Sequence, residues 1–158
     1  MAYIYPAPGV AAAEVTLTIS DASGTLTGNL SVPALQDVTV NNSNDVFTWT
    51  QLDSASKNQV ATTATNSLSM NLVVDKSTFF GANPVSGGSV GNVGIYGLSK
   101  AKTKVAFSLY MGDTDSGGTG PTITGNAYVT GLAPTVSADS PVWVSPVTLT
   151  VTGDYTVS

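Results

Sequence analysis

The residues able to do chemistry are few, and their spacing joins none of them into a catalytic set. Nine aspartates and one glutamate, Glu14, face five cations that are all lysine, and the chain has no histidine, cysteine or arginine. Without imidazole or thiolate there is no Ser-His or Cys-His pair and no zinc site of the usual donors. Without guanidinium there is no bidentate clamp for phosphate or carboxylate. Asp113 and Asp115 stand two apart in the run GDTDSGGTG at 112–120. That run lacks the closing glutamate of a calcium loop and the GK[ST] ending of a phosphate loop, so it reads as a solvated hairpin loop. Most other aspartates (Asp21, Asp45, Asp139, Asp154) adjoin turn residues, where a short carboxylate bonds its own backbone. A hydrolytic carboxylate pair has no support, and the chain is expected not to be an enzyme and to need no cofactor or metal.

Lys100, Lys102 and Lys104 alternate and are expected on one strand face. They could meet acids of a neighbouring chain or guard a sheet edge; with no arginine and no interleaved aromatics, nucleic-acid binding is the weaker fit. Trp49 and Trp143 each sit in a short β-like run. Such large side chains usually enter a core, with interface anchoring as the alternative.

The net charge is −5 and only 9% of the 158 residues are charged, against about a quarter in an ordinary soluble domain. Serine, threonine, asparagine and glycine take the polar positions. A surface of short neutral side chains repels itself weakly and loses little entropy in contacts, which suits repeated contact with copies of itself; a secreted adhesin module fits the composition equally well. No apolar run approaches the ~18 residues of a membrane span. The first residues lack a signal-peptide pattern, so synthesis in the cytoplasm and no membrane insertion are expected.

Elements with a period of two must position these residues. Val15, Leu17 and Ile19 alternate with Thr16, Thr18 and Ser20. Leu68, Met70 and Leu72 alternate with Ser67, Ser69 and Asn71; Val105, Phe107 and Leu109 with Ala106, Ser108 and Tyr110; Val147, Leu149 and Val151 with Thr148, Thr150 and Thr152. Each is a strand with one buried and one polar face. Further strands are predicted at 35–40, 46–52, 123–132 and 141–144, with 41–45 as a polar turn. Seven or eight short antiparallel strands make a mainly β chain, a sandwich or partial barrel. One stretch, 75–81, breaks the rhythm: Asp75 can cap a helical turn carrying Phe79 and Phe80, and Gly81 can stop it. Glycines weaken a second helical turn at 91–99. Residues 1–13 and 154–158 read as an arm and a tail on a single domain.

The segments VFTWTQLD at 46–53 and ATTATNSLSMNL at 61–72 resemble the hairpin region of phage tail-tube subunits. GNAYVTGL at 125–132 and VTLTVTG at 147–153 are similar to that family's closing strands. The resemblance implies an antiparallel β-sandwich or partial barrel with one short flanking α-helix, drawn from Asp75, Phe79 and Phe80. It implies hexameric rings stacked into a tube whose lumen conducts DNA without binding it specifically. A hairpin or loop at 51–66, with Asp53, Ser54, Lys57, Asn58 and Gln59, would reach from ring to ring. Ser67, Ser69 and Asn71 would face the lumen or a neighbouring subunit. Expected partners are the chain itself, a tape-measure protein and terminator or baseplate proteins, in a virion tail. Capsid decoration protein, virion fibre module, immunoglobulin-like adhesion module and a carbohydrate-processing enzyme or lectin are the rival readings.

Overall fold

The computed structural model describes residues 15–32, 35–53, 55–84, 86–112 and 120–158. The expected N-terminal arm, Ser54, Asp113 and Asp115 lie outside them.

Among the described residues nine strands form one antiparallel sheet: β1 (Val15–Asp21), β2 (Asn29–Ser31), β3 (Leu35–Thr50), β4 (Lys57–Val73), β5 (Lys104–Met111), β6 (Thr122–Leu132), β7 (Thr135–Ser137), β8 (Ser140–Val151) and β9 (Thr156–Val157). The spatial order is β2-β1-β5-β6-β8-β4-β3, with β7 on β8 and β9 on β6. The chain is mainly β and antiparallel, as the alternation dictates, and ladder bonding links each strand to its neighbours. Leu17, Ile19, Leu68, Met70, Val105, Phe107, Leu109, Val147 and Leu149 all turn to one face and are buried there. Burying each such side chain fully stabilises the fold by about 1.5–3 kcal/mol.

Among the described residues two helical segments complete this core, the short turn expected after Asp75 and a second over the stretch where glycines weaken a helix. The stretch after Asp75 is a single wide π-turn, Lys76–Phe80, and the longer element is α1 (Val90–Lys100), where glycines argued against a helix. Burial of Val90, Val93, Ile95 and Leu98 outweighs that weak propensity. The Ser89 hydroxyl caps α1 by accepting from the N–H of Asn92 at 3.3 Å. At Gly94 the helix kinks, with φ 69° and ψ 173°. Gly81, at φ 68°, presses its backbone against the Asn92 carbonyl, and the Asn83 N–H donates to that oxygen at 2.8 Å. The two glycines therefore let the π-turn and α1 touch backbone to backbone.

Three predicted boundaries move. Residues 41–45 are not a turn: β3 continues through them, because its polar side chains stand on a ribbon wetted on both faces. Strands at 141–144 and 147–151 are one strand, β8, with Pro146 inside it. The three lysines do not share a strand face. Lys100 ends α1, Lys102 sits in a turn at φ 55°, and Lys104 opens β5.

Candidate assembly surfaces

Three surfaces stand out: two are built on β3, β4 and β8, and the third by the π-turn, Val74, Pro134 and Trp143 of β8. The first is the polar face of the sheet. Since side chains alternate, burying Leu68, Met70 and Leu72 turns Ser67, Ser69 and Asn71 to the opposite side. Antiparallel register places Asn41, Thr39 and Asp37 of β3 across from them, and Thr150, Thr148 and Pro146 of β8 on their other flank. The Asn41 amide donates to Ser69 Oγ at 3.2 Å, and the Asn71 amide donates to both Asp37 carboxylate oxygens at 3.1 and 2.9 Å. Thr130 and Thr150 share a hydroxyl hydrogen bond at 2.8 Å on the same side. The result is a hydrated wall of hydroxyls and amides. Its extent across the sheet is set by register, which joins the polar faces of β3, β4 and β8.

The second surface is a ribbon. β4 leaves β8 after the pair Ser67–Thr150, yet β3 and β4 stay paired out to Thr50–Lys57. Residues 57–66 of the expected hairpin or loop are therefore strand; of its named residues, Asp53 lies in a turn while Lys57, Asn58 and Gln59 belong to β4. At its root Asn66 is buried, and its Oδ1 has no hydrogen-bond partner among the described residues. Between Asn44–Ala64 and Val46–Ala61, β4 advances one residue more than β3. A bulge of this kind reverses the phase of one strand relative to the other. Here it brings Val60 opposite Phe47 and Asn58 opposite Trp49. The two rings stack at 5.9 Å. Val46, Phe47, Trp49, Leu52 and Val60 are all exposed, so Trp49 is no core residue.

The third surface lies at the other end of β4 and β8. An open groove of about 540 Å³ is lined by Val74, Asp75, Lys76, Phe80, Pro134 and Trp143. Trp143 has the same strand parity as buried Ser145, Val147 and Leu149, but it overruns the core and stays 50% exposed. Phe80 packs edge-on against buried Phe79, with ring centroids 5.0 Å apart. Asp75 anchors this corner. Partial burial pushes its pKa up, but the N–H groups of Thr78 and Phe79 and the hydroxyls of Thr78 and Ser77 together hold it below the ordinary carboxylate value. Asp75 Oδ1 accepts from those two N–H groups at 2.6 and 3.1 Å.

A depression of about 400 Å³ contains Asp21, Lys102, Lys104 and Tyr128. Asp21 is committed to its own turn: the Ser23 hydroxyl, then the N–H groups of Leu26 and Ser23, hold its pKa below the usual range. Among the described residues no three potential metal ligands converge. No helix among them is long and apolar enough to cross a membrane.

No protein-family model matches the chain, and no curated protein matches it in sequence. Solved structures do. The chain superposes on a subunit from the tail of an empty gene transfer agent particle, refined with C6 symmetry, at a TM-score of 0.64, with 11% identity over 90% of this chain and 95% of that one. The SPP1 tail tube gives 0.63, with 11% identity over 92% and 76%. A subunit of the sheath-tube complex of the PVC extracellular contractile injection system gives 0.57, with 15% identity over 98% and 92%. This is the tail-tube fold. At such identities the likeness establishes the architecture.

Proposed function

We propose that the chain is a structural subunit of a phage tail tube, which assembles into stacked hexameric rings around a passage for DNA. The observation that carries this reading is the β3–β4 ribbon. It extends past the sheet with aromatic side chains uncovered, an arrangement that a lone subunit leaves unstabilised and a polymer buries. Contact of a projecting element with a different surface of the next copy is head-to-tail, and such contacts close into rings or extend into tubes. Ring closure also pairs the sheet edges, here β2 and β3, that would otherwise template aggregation.

The polar face around Ser67, Ser69 and Asn71 is the wall we assign to the lumen. Its hydroxyls and amides hydrate the surface without presenting cations. A net charge of −5 repels a cargo that carries one charge per ~1.7 Å. Cargo thus slides rather than sticks, which makes the role structural and not catalytic. The partners are the chain itself first, then tape-measure, terminator and baseplate proteins, in a virion tail assembled from subunits made in the host cytoplasm.

Negative-stain electron microscopy of the purified protein tests the reading. Rings or tubes roughly 100 Å wide, as expected for a few domains of this size around a channel, are the predicted outcome. A particle that stays monomeric or trimeric at every concentration rejects it in favour of an adhesion, decoration or fibre module.

A further inference from the structure

The exposed ribbon tip and the apolar groove lie at opposite ends of the same strand. From Asn58, the partner of Trp49, to Val73, the partner of Val144, β4 runs about 50 Å at roughly 3.3 Å per residue. A hydrogen-bonded ladder fixes that separation, so a subunit cannot seat its tip in its own groove. The two surfaces nevertheless match in chemistry. The tip offers the stacked Phe47 and Trp49 with Leu52, which is fully exposed. The groove offers Val74, Phe80, Pro134 and Trp143, with volume for large side chains. The charges match as well: Asp53 follows Leu52 at the tip, and exposed Lys76 stands on the rim of the groove.

We propose that the groove bounded by Val74, Phe80, Pro134 and Trp143 is the socket for the Phe47–Trp49–Leu52 tip of a second copy of this chain, with Asp53 of the tip facing Lys76. The inference rests on the tube reading and deepens it by naming both halves of one subunit contact. Because tip and socket are different surfaces at opposite ends of a rigid strand pair, the contact is heterologous and propagates along the strand direction. Aromatic groups in an apolar socket are the kind of anchor that dominates interface energy, while the rim pair sets register.

The absence of cysteine gives a clean test. Subunits carrying Asp53→Cys are mixed with subunits carrying Lys76→Cys under assembling conditions and treated with a short bis-maleimide. A covalent heterodimer in the mixture, with neither pool alone giving a dimer, is the expected result. Tubes that form without that product overturn the docking and leave the tube reading standing. Failure of the unmodified protein to form any ring or tube overturns the tube reading and this inference with it. In a second arm, Trp143→Ser should stay folded by circular dichroism with a urea midpoint only modestly below the parent's, since half of the side chain is exposed. It should raise the concentration needed for assembly about tenfold, as expected for losing an anchor worth ~1.4 kcal/mol. Assembly of that variant at the parent's concentration also overturns the docking.

Discussion

Replacing Gly94 by alanine tests the backbone contact that holds the π-turn against α1. Gly94 sits at φ 69° and ψ 173°, inside α1. A Cβ there would lie 2.6 Å from the Gly81 nitrogen, 2.7 Å from the Phe80 carbonyl carbon and 2.8 Å from the Phe79 carbonyl oxygen. All three are backbone atoms, so no side chain can swing aside. Holding a residue with a side chain in this backbone region costs ~1–3 kcal/mol. Forcing the π-turn away from the kink costs a further ~1–3 kcal/mol. The sum is about 4 kcal/mol, which at a urea slope of about 2 kcal/mol/M lowers the midpoint by about 2 M. Gly91, in the same helix, provides the opposite sign. Nothing lies within 4 Å of its added Cβ and its φ is ordinary. Gly91→Ala should therefore stabilise by ~0.4–1 kcal/mol through the unfolded chain. Equilibrium urea unfolding of the two variants decides the matter. If Gly94→Ala stays within about 0.5 kcal/mol of the parent, or Gly91→Ala falls as far as Gly94→Ala, the backbone contact is wrong.

Asp75→Ala should cost about 1–2 kcal/mol at pH 7, since it removes the acceptor for the N–H groups of Thr78 and Phe79. The folded pKa of Asp75 is lowered, so its contribution is complete above the unfolded value of about 3.9 and fades as pH falls through the folded value. Stability curves of parent and variant should therefore converge below about pH 4; a gap that widens there contradicts the assignment. Leu149→Ala, at a fully buried site in the interior strand β8, should cost ~2–5 kcal/mol by chemical denaturation. Ser69→Ala on the opposite face should stay within ~0.5 kcal/mol. Excising residues 44–64 and joining the paired Ser43 and Thr65 through Asn-Gly should leave a folded monomer by circular dichroism that makes no tubes in the microscope. Long tubes from that variant would remove the ribbon from the assembly contact.

Alternation was legible because burial on one face leaves a direct trace in sequence. Leu17 and Ile19, Leu68 to Leu72, and Val105 to Leu109 all reach the core their spacing predicts. The capping role of Asp75 was legible for a similarly local reason, since a short carboxylate finds N–H groups three and four residues on. The helix at Val90–Lys100 was not. Its glycines argue against a helix until Gly94 is seen to admit the backbone of Phe80 and Gly81.

What the sequence determined alone was the class: a mainly β chain whose strands bury one face, and whose lack of histidine, cysteine and arginine leaves the usual catalytic sets without members. Tertiary structure decided which polar and aromatic residues share a surface. Pairing register sets Asp37 beside Asn71, and a single bulge brings Val60 opposite Phe47. Trp49 and Trp143 look like core residues in sequence because alternation is blind to where the covering layer ends. One stands on a ribbon beyond the sheet and the other past the edge of the helical cover, and only long-range packing fixes those limits.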